Sequence, residues 1–208
     1  RYDQTQLDRI PATGPLAMVA NHPFGVIDGT ILCHLAAQAR GDFRILINAV
    51  LCRDKDLAPY FLPVDFSPGK AAMKNNVATG RRAREAMAED IPVLIFPSGF
   101  VSTAGKFGTG RAVDAPWTTF AAKLISDARA NVVPIFFHGQ NSRAFHIASH
   151  LSESLRMAFL IREARARFGT RFDVTIGDTL AYESLEEIKG RKALTHYLYD
   201  AVQQLDEA

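Results

Sequence analysis

The chain has 208 residues, 48% of them apolar and 22% charged, with a formal net charge of +2. A chain this apolar and this nearly neutral excludes wholesale disorder. Two cysteines, Cys33 and Cys52, are too few for a disulfide scaffold and fit a reducing compartment.

So small a net charge gives no case for a nucleic-acid partner. No apolar run approaches the roughly 18 residues of a membrane-spanning helix. One large domain with one core is expected at this length, so residues 1–208 are read as a single domain. The chain begins with Arg1, which is expected of a processed or trimmed protein.

Leu16–Asn21 is an apolar run of strand length, and Gly29–Arg40 follows with a helical pattern. Phe43–Asn48 reads as a strand. Residues 49–75 read as a long loop, and Asn76–Glu89 as a helix with Val77, Ala83 and Met87 among its apolar positions. Ile91–Phe96 is almost continuously apolar, as in a strand covered on both faces. A second long loop spans 97–117. Thr118–Ala130 then reads as a helix, Asn131–His138 as a buried strand and Ser152–Phe168 as a long helix. Phe172–Ile176 is a strand, and Ser184–Leu205 is a helical segment broken at Gly190. This alternation predicts an α/β fold with a mostly parallel central sheet and flanking helices. Ligands in such sheets sit beyond the carboxyl ends of strands. The ends to examine are therefore Asn21–Asp28, Pro97–Arg111 and His138–Arg143.

At the first of these ends, Pro23 keeps His22 out of the helical region, so His22 lies in the turn. Gly25 lets the chain bend tightly, and Asp28 stands where a helix N-cap belongs. Such a turn can fold the carboxylate onto one imidazole nitrogen. That fixes the tautomer and leaves the other nitrogen free as a base. The arrangement is the base half of a catalytic triad without a protein nucleophile. On spacing alone, a plain capping Asp28 and a turn His22 bonded to backbone remain open.

The run Asn21-His22-Pro23-Phe24-Gly25-Val26-Ile27-Asp28 resembles the first motif of the glycerolipid, lysophosphatidate-like acyltransferases. Five residues separate His from Asp where the usual motif has four. That expansion, within Asn-His-Pro-Phe-Gly-Val-Ile-Asp-Gly, is similar to a bacterial hemolysin-like or lyso-ornithine-lipid acyltransferase-like branch. Phe96-Pro97-Ser98-Gly99-Phe100-Val101-Ser102 resembles the third motif, and Val133-Pro134-Ile135 the fourth. Phe61–Phe66 falls where the second should be. The resemblance covers roughly residues 14–180, with 181–208 a C-terminal helical segment. Ser98 stands where the superfamily has Glu and Val101 where it has Arg, and the second-motif Arg is missing. These departures move the expected acceptor away from a simple glycerol phosphate and leave an amino-acid lipid open.

The resemblance implies a glycerol-phosphate-acyltransferase-like fold. It implies acyl transfer from acyl-CoA or acyl carrier protein to a lysolipid hydroxyl, on the cytoplasmic face of the inner membrane as a peripheral protein. His22 would be the general base and Asp28 its orienter, with no metal and no bound cofactor. Phe96, Pro97, Ser98, Gly99 and Ser102 are expected at the substrate, and Arg53, Lys106 and Arg111 are the nearby cations that can substitute for the missing ones. From its place at the end of a buried strand, Asn141 is expected to bond the substrate or to structure the loop, and both readings stay open. Backbone N–H groups around Ser98–Gly99 or near Gly25 are the expected oxyanion donors.

Three competing chemistries are weaker. Ser98 invites a serine esterase or thioesterase, but both glycines of a nucleophile elbow are absent from their places. Gly99…Gly105-Lys106 departs from a phosphate-binding loop by one residue and lacks its Ser or Thr. His146 and His150 lack the Glu of a zinc protease and read as surface or capping histidines. A catalytically silent lipid-binding protein of the same fold is the non-enzyme alternative. Charge is uneven along the chain. Residues 140–172 hold six basic and two acidic residues. Arg156, Arg162, Arg165 and Arg167, with Leu155, Phe159 and Leu160, fit either a membrane-interfacial surface or a buried amphipathic helix.

Overall fold

In the computed structural model, which describes residues 4–52 and 55–206, the first strand shows how the layers form. A short helix, α1 (Gln4–Leu7), precedes β1 (Leu16–Ala20), and all five side chains of β1 are buried. Side chains alternate across a strand, so such a strand needs a layer on each face. Leu16, Met18 and Ala20 join one apolar cluster, while Ala17 and Val19 join another.

The chain then runs through α2 (Val26–Arg40), β2 (Arg44–Asn48), a 3-10 turn at Ala49–Leu51, β3 (Phe61–Val64), α3 (Lys70–Ala88) and β4 (Val93–Ile95). It continues with α4 (Thr119–Ala128), β5 (Asn131–Phe137), α5 (Arg143–Leu151), α6 (Glu153–Ala166), β6 (Val174–Ile176), α7 (Tyr182–Glu186) and α8 (Arg191–Gln203). The six strands make one sheet in the order β3-β2-β4-β1-β5-β6. Every neighbouring pair is parallel except β5 with β6. The expected α/β fold with a mostly parallel sheet is therefore present. Leu32 and Leu35 of α2 fill the layer on one face. Met87 of α3, Ile125 of α4 and Leu198 of α8 fill the other. Each such side chain stabilises the fold by roughly 1.5–3 kcal/mol when fully buried.

Pro134 sits inside the central strand β5, where a missing N–H would break a ladder. Its carbonyl accepts from Gly177 N (2.9 Å), just past Ile176, the last residue of β6. The amide side of Pro134 faces the same way as its carbonyl, away from β1, so the β1–β5 ladder loses no rung to the missing donor.

Three elements differ from the sequence reading. The supposed loop 49–75 contains β3 and the start of α3, which begins at Lys70 and not at Asn76. Pro63 disguises β3, but an edge strand tolerates it. Residues 143–151 form α5, which runs directly into α6. Ser142 and Ser152 start the two helices, their hydroxyls accepting from Phe145 N (3.3 Å) and Leu155 N (3.2 Å). Lastly, Asp28 is not the N-cap of α2. Gly25 holds that place at φ 78°, and Asp28 lies inside the first turn.

Candidate active site

β1 ends at Ala20, and Asn21 continues it with a side chain in place of a backbone rung. Its Nδ2 donates to Phe137 O (3.0 Å) and its Oδ1 accepts from Phe137 N (2.7 Å). This anchors the next residue, His22, at the carboxyl edge of the sheet. Gly25 then turns the chain into α2. A Cβ there would lie 2.6 Å from Leu160 Cδ1 and 3.0 Å from Val101 Cγ2, so only glycine fits beneath α6.

Asp28 is fully buried, which is costly for a carboxylate without partners. Its Oδ2 accepts from Phe24 N (2.8 Å) and its Oδ1 from Gly29 N (2.8 Å). His22 Nδ1 stands 3.0 Å from Asp28 Oδ1 and has no other protein partner. The contact lies outside the angle of a well-aligned hydrogen bond. The His22 ring stacks on Phe96, with centroids 3.9 Å apart and planes at 25°. With one nitrogen turned to the carboxylate and one face covered, Nε2 is the nitrogen left to handle a proton.

The loop after β4 holds the main chain of His22 from the other side. Ser102 N donates to His22 O (2.8 Å), and His22 N donates to Asp114 Oδ1 (3.2 Å). The Ser102 hydroxyl also bonds Asp114 Oδ1, and Trp117 Nε1 donates to Asp114 Oδ2 (2.9 Å). Asp114 thus gathers donors from three places in the chain. Nothing in the sequence marked it, because its partners lie in separate segments.

The expected substrate residues divide. Phe96 and Ser102 meet His22 as described, but the Ser102 hydroxyl is committed to Asp114. Pro97 is buried and its carbonyl accepts from Thr118 N (3.0 Å), tying the turn to the start of α4. The Ser98 hydroxyl is buried and donates to Phe100 O (2.8 Å), which makes it a turn-forming group and not a free nucleophile. Gly99, at φ 69°, packs against Phe66, whose ring would lie 2.7 Å from a Cβ. Its N–H is spent on Phe96 O (2.9 Å), so the Gly99 amide is not the free oxyanion donor expected of this turn. Phe66 and Phe100, both partly exposed, pack together at the rim with ring centroids 5.6 Å apart.

Among the expected cations, Lys106 is exposed and Arg111 pairs with Asp206 (2.5 Å) while lying over the Phe136 ring. Arg53 lies outside the described residues. Asn141 is buried, its backbone lies beside the His146 ring, and neither amide atom of its side chain has a protein partner. The two histidines read as surface or capping groups divide, since His150 is exposed and His146 is not. His146 is fully buried and its Nδ1 accepts from Ala104 N (3.3 Å), while His150 Nε2 bonds Ala104 O (2.8 Å).

A lyso-glycine lipid O-acyltransferase of Phocaeicola vulgatus is 27% identical over 214 aligned positions, covering 96% of this chain and 71% of that protein. One of the same name from Bacteroides thetaiotaomicron is also 27% identical, covering 96% of this chain and 73% of the relative. The crystal structure of the 1-acyl-sn-glycerophosphate acyltransferase PlsC from Thermotoga maritima superposes with a TM-score of 0.60 at 14% identity. That superposition covers 99% of this chain and 70% of that one, and shows a shared fold. A family model described as an acyltransferase matches residues 1–195, a span that includes the His22 turn, the Ser98 turn and the whole sheet. The chain belongs to this acyltransferase family.

Proposed function

We propose that the protein transfers a fatty acyl group from a thioester, acyl-CoA or acyl carrier protein, to the hydroxyl of a lysolipid. The observation that carries this reading is the His22 Nδ1 contact with the buried Asp28 carboxylate, 3.0 Å away. His22 Nε2 takes the acceptor's hydroxyl proton while the oxygen attacks the thioester carbonyl. The tetrahedral intermediate collapses, the C–S bond breaks, and the leaving thiolate takes the proton back from His22. Asp28 holds the ring and stabilises the imidazolium that forms between the two steps. The first-turn N–H groups of α2 have no intrahelical acceptors and lie beside His22, which suits them to the oxyanion. No metal or bound cofactor enters this sequence of steps.

An amino-acid lysolipid is the acceptor this reading favours. Both curated relatives are named for a lyso-glycine lipid. Ser98 and Val101 leave the turn without the charges expected for a glycerol phosphate. Among the described residues no helix is long and apolar enough to cross a membrane. Because the proposed acceptor is a membrane lipid, the reading is of a peripheral enzyme on the cytoplasmic face of a membrane.

The test is free-thiol release with both donor types and a panel of lysolipids, beside His22→Ala. Acceptor-dependent release should fall by about 10²–10⁴ in the variant. Release that ignores the acceptor would point to a thioesterase, and undiminished release by His22→Ala would overturn the assignment of the base.

A further inference from the structure

The α5–α6 hairpin carries an outer face that the rest of the protein leaves uncovered. Leu151 is 70% exposed, Ile161 58% and Phe168, just past α6, 92%. Ile147, Leu155 and Met157 are exposed on the same hairpin. Scattered apolar side chains on a surface are ordinary, but a concentration within one hairpin marks an interaction site. Ala158, Ile161, Arg162, Arg165 and Ala166 line a shallow open hollow on this face.

Its charge is one-sided. Arg162, Arg165 and Arg171 are exposed and form no ion pair among the described residues. Of the two acids in the segment, Glu163 is buried and turned inward, bonding Ser142 and Arg167. Only Glu153 stays exposed. The surface differs from the helix stripe that sequence alone picks out. Arg156 donates to Val101 O (3.0 Å), Arg167 donates to Gln140 O (2.8 Å) and Leu160 is buried over Gly25. Leu160 holds the hairpin to the His22 turn, Arg156 to the loop after β4 and Arg167 to the loop after β5, while Ile161, Arg162 and Arg165 stay exposed.

We infer that the outer face of the α5–α6 hairpin docks on an anionic lipid bilayer, with Leu151, Ile161 and Phe168 entering the headgroup boundary and Arg162, Arg165 and Arg171 meeting lipid phosphates. Apolar side chains flanked by unpaired arginines are what an interfacial helix needs. The choice of a bilayer over an acidic protein rests on the proposed lysolipid acceptor, and on how far Leu151 and Phe168 project. A protein partner's hot spot sits in a closed pocket, and the hollow here is open. Through Leu160 on Gly25, docking brings the His22 turn to the surface that holds the acceptor.

The experiment is cosedimentation with phosphatidylcholine vesicles, with and without phosphatidylglycerol. It compares the wild type, Arg162→Glu/Arg165→Glu, and Leu151→Ser/Ile161→Ser/Phe168→Ser. All altered side chains are exposed, and thermal melting confirms that each variant folds. Wild type should bind anionic vesicles more tightly than neutral ones and lose binding as salt rises. The double charge reversal should weaken binding by at least about 25-fold, since each cation near the surface contributes about 1 kcal/mol. The triple serine variant should also weaken it. Unchanged binding in both variants would overturn the proposal. So would an intact vesicle affinity with a raised KM for acyl carrier protein, which assigns the face to that partner. Acyl transfer to dispersed lysolipid is measured in parallel. Wild type silent there but bound to anionic vesicles through this face would sink the proposed function and leave the docking surface standing.

Discussion

Asp114 is the residue on which the His22 turn hangs, through one carboxylate. It holds the His22 amide, the Ser102 hydroxyl and the Trp117 indole. The Asp114→Ala substitution removes all three acceptor contacts and leaves the half-buried donors to find water. Unsatisfied buried groups cost about 1–3 kcal/mol each, so melting should fall measurably. On the proposed mechanism the more telling effect is on turnover, because a small misplacement of the proposed base His22 can cost up to about 10²-fold. Steady-state kinetics should show kcat lowered at least about tenfold with the donor KM little changed. Asp114→Asn keeps Oδ1 as an acceptor and should recover most of kcat. If Asn and Ala are equally poor, charge and not positioning is the role of Asp114. His22 and Asp28 were legible in the sequence because six positions and one turn join them. Asp114 was not, since 92 positions separate it from His22 and no local pattern records such a pairing. Nor does the sequence record that the Ser98 hydroxyl turns back to Phe100 O and the Ser102 hydroxyl to Asp114, because a serine in a loop has several local acceptors within reach.

At the level of elements, the strongest dependence is between β1 and β5, the central pair of the sheet. Their parallel register runs from Leu16 with Asn131 to Ala20 with Ile135. Beyond it the Asn21 amide supplies both a donor and an acceptor to Phe137. Asn21→Ala leaves Phe137 N and O unpaired in a buried place, at a cost of about 2–4 kcal/mol. Asn21→Asp is expected to be as poor, since a carboxylate cannot donate to Phe137 O. Urea unfolding measures both, and a loss under half a kcal/mol (about the noise of such fits) would show that water replaces the side chain. Elements with a single clear period, such as β1, α2 and β5, could be read from sequence to within a few residues. β3 could not, because Pro63 reads as loop until the edge position that tolerates it is known. α5 could not either. Ser152 ends one helix and begins the next without a glycine or proline to mark the join.

On the scale of the whole molecule, two separate pieces must stay registered: the loop that holds His22 and the hairpin that covers it. The imidazole of His146 joins them, fully buried, with Nδ1 accepting from Ala104 N. Accepting there requires the neutral ring. Burial lowers its pKa below the ordinary 6.5, helped by nearby His150 and Arg156 and opposed by the Asn141 carbonyl and Glu163. Below that ordinary value the unfolded chain takes up a proton that the folded chain refuses. The stability His146 contributes is therefore complete above about pH 6.5 and is lost as pH falls toward its lower folded pKa. Melting temperature should decline between about pH 7 and pH 5, and part of that decline should belong to this residue. His146→Gln can still accept from Ala104 N through its amide oxygen but does not titrate. Its melting temperature should start lower, because a different shape fills a packed site, and should fall less steeply over the same range. The two proteins differ only at this side chain, so the difference between the two slopes reports on His146. Parallel slopes would mean that the ring is already protonated in the fold and that something other than a neutral histidine holds the loop beside His22 to the hairpin.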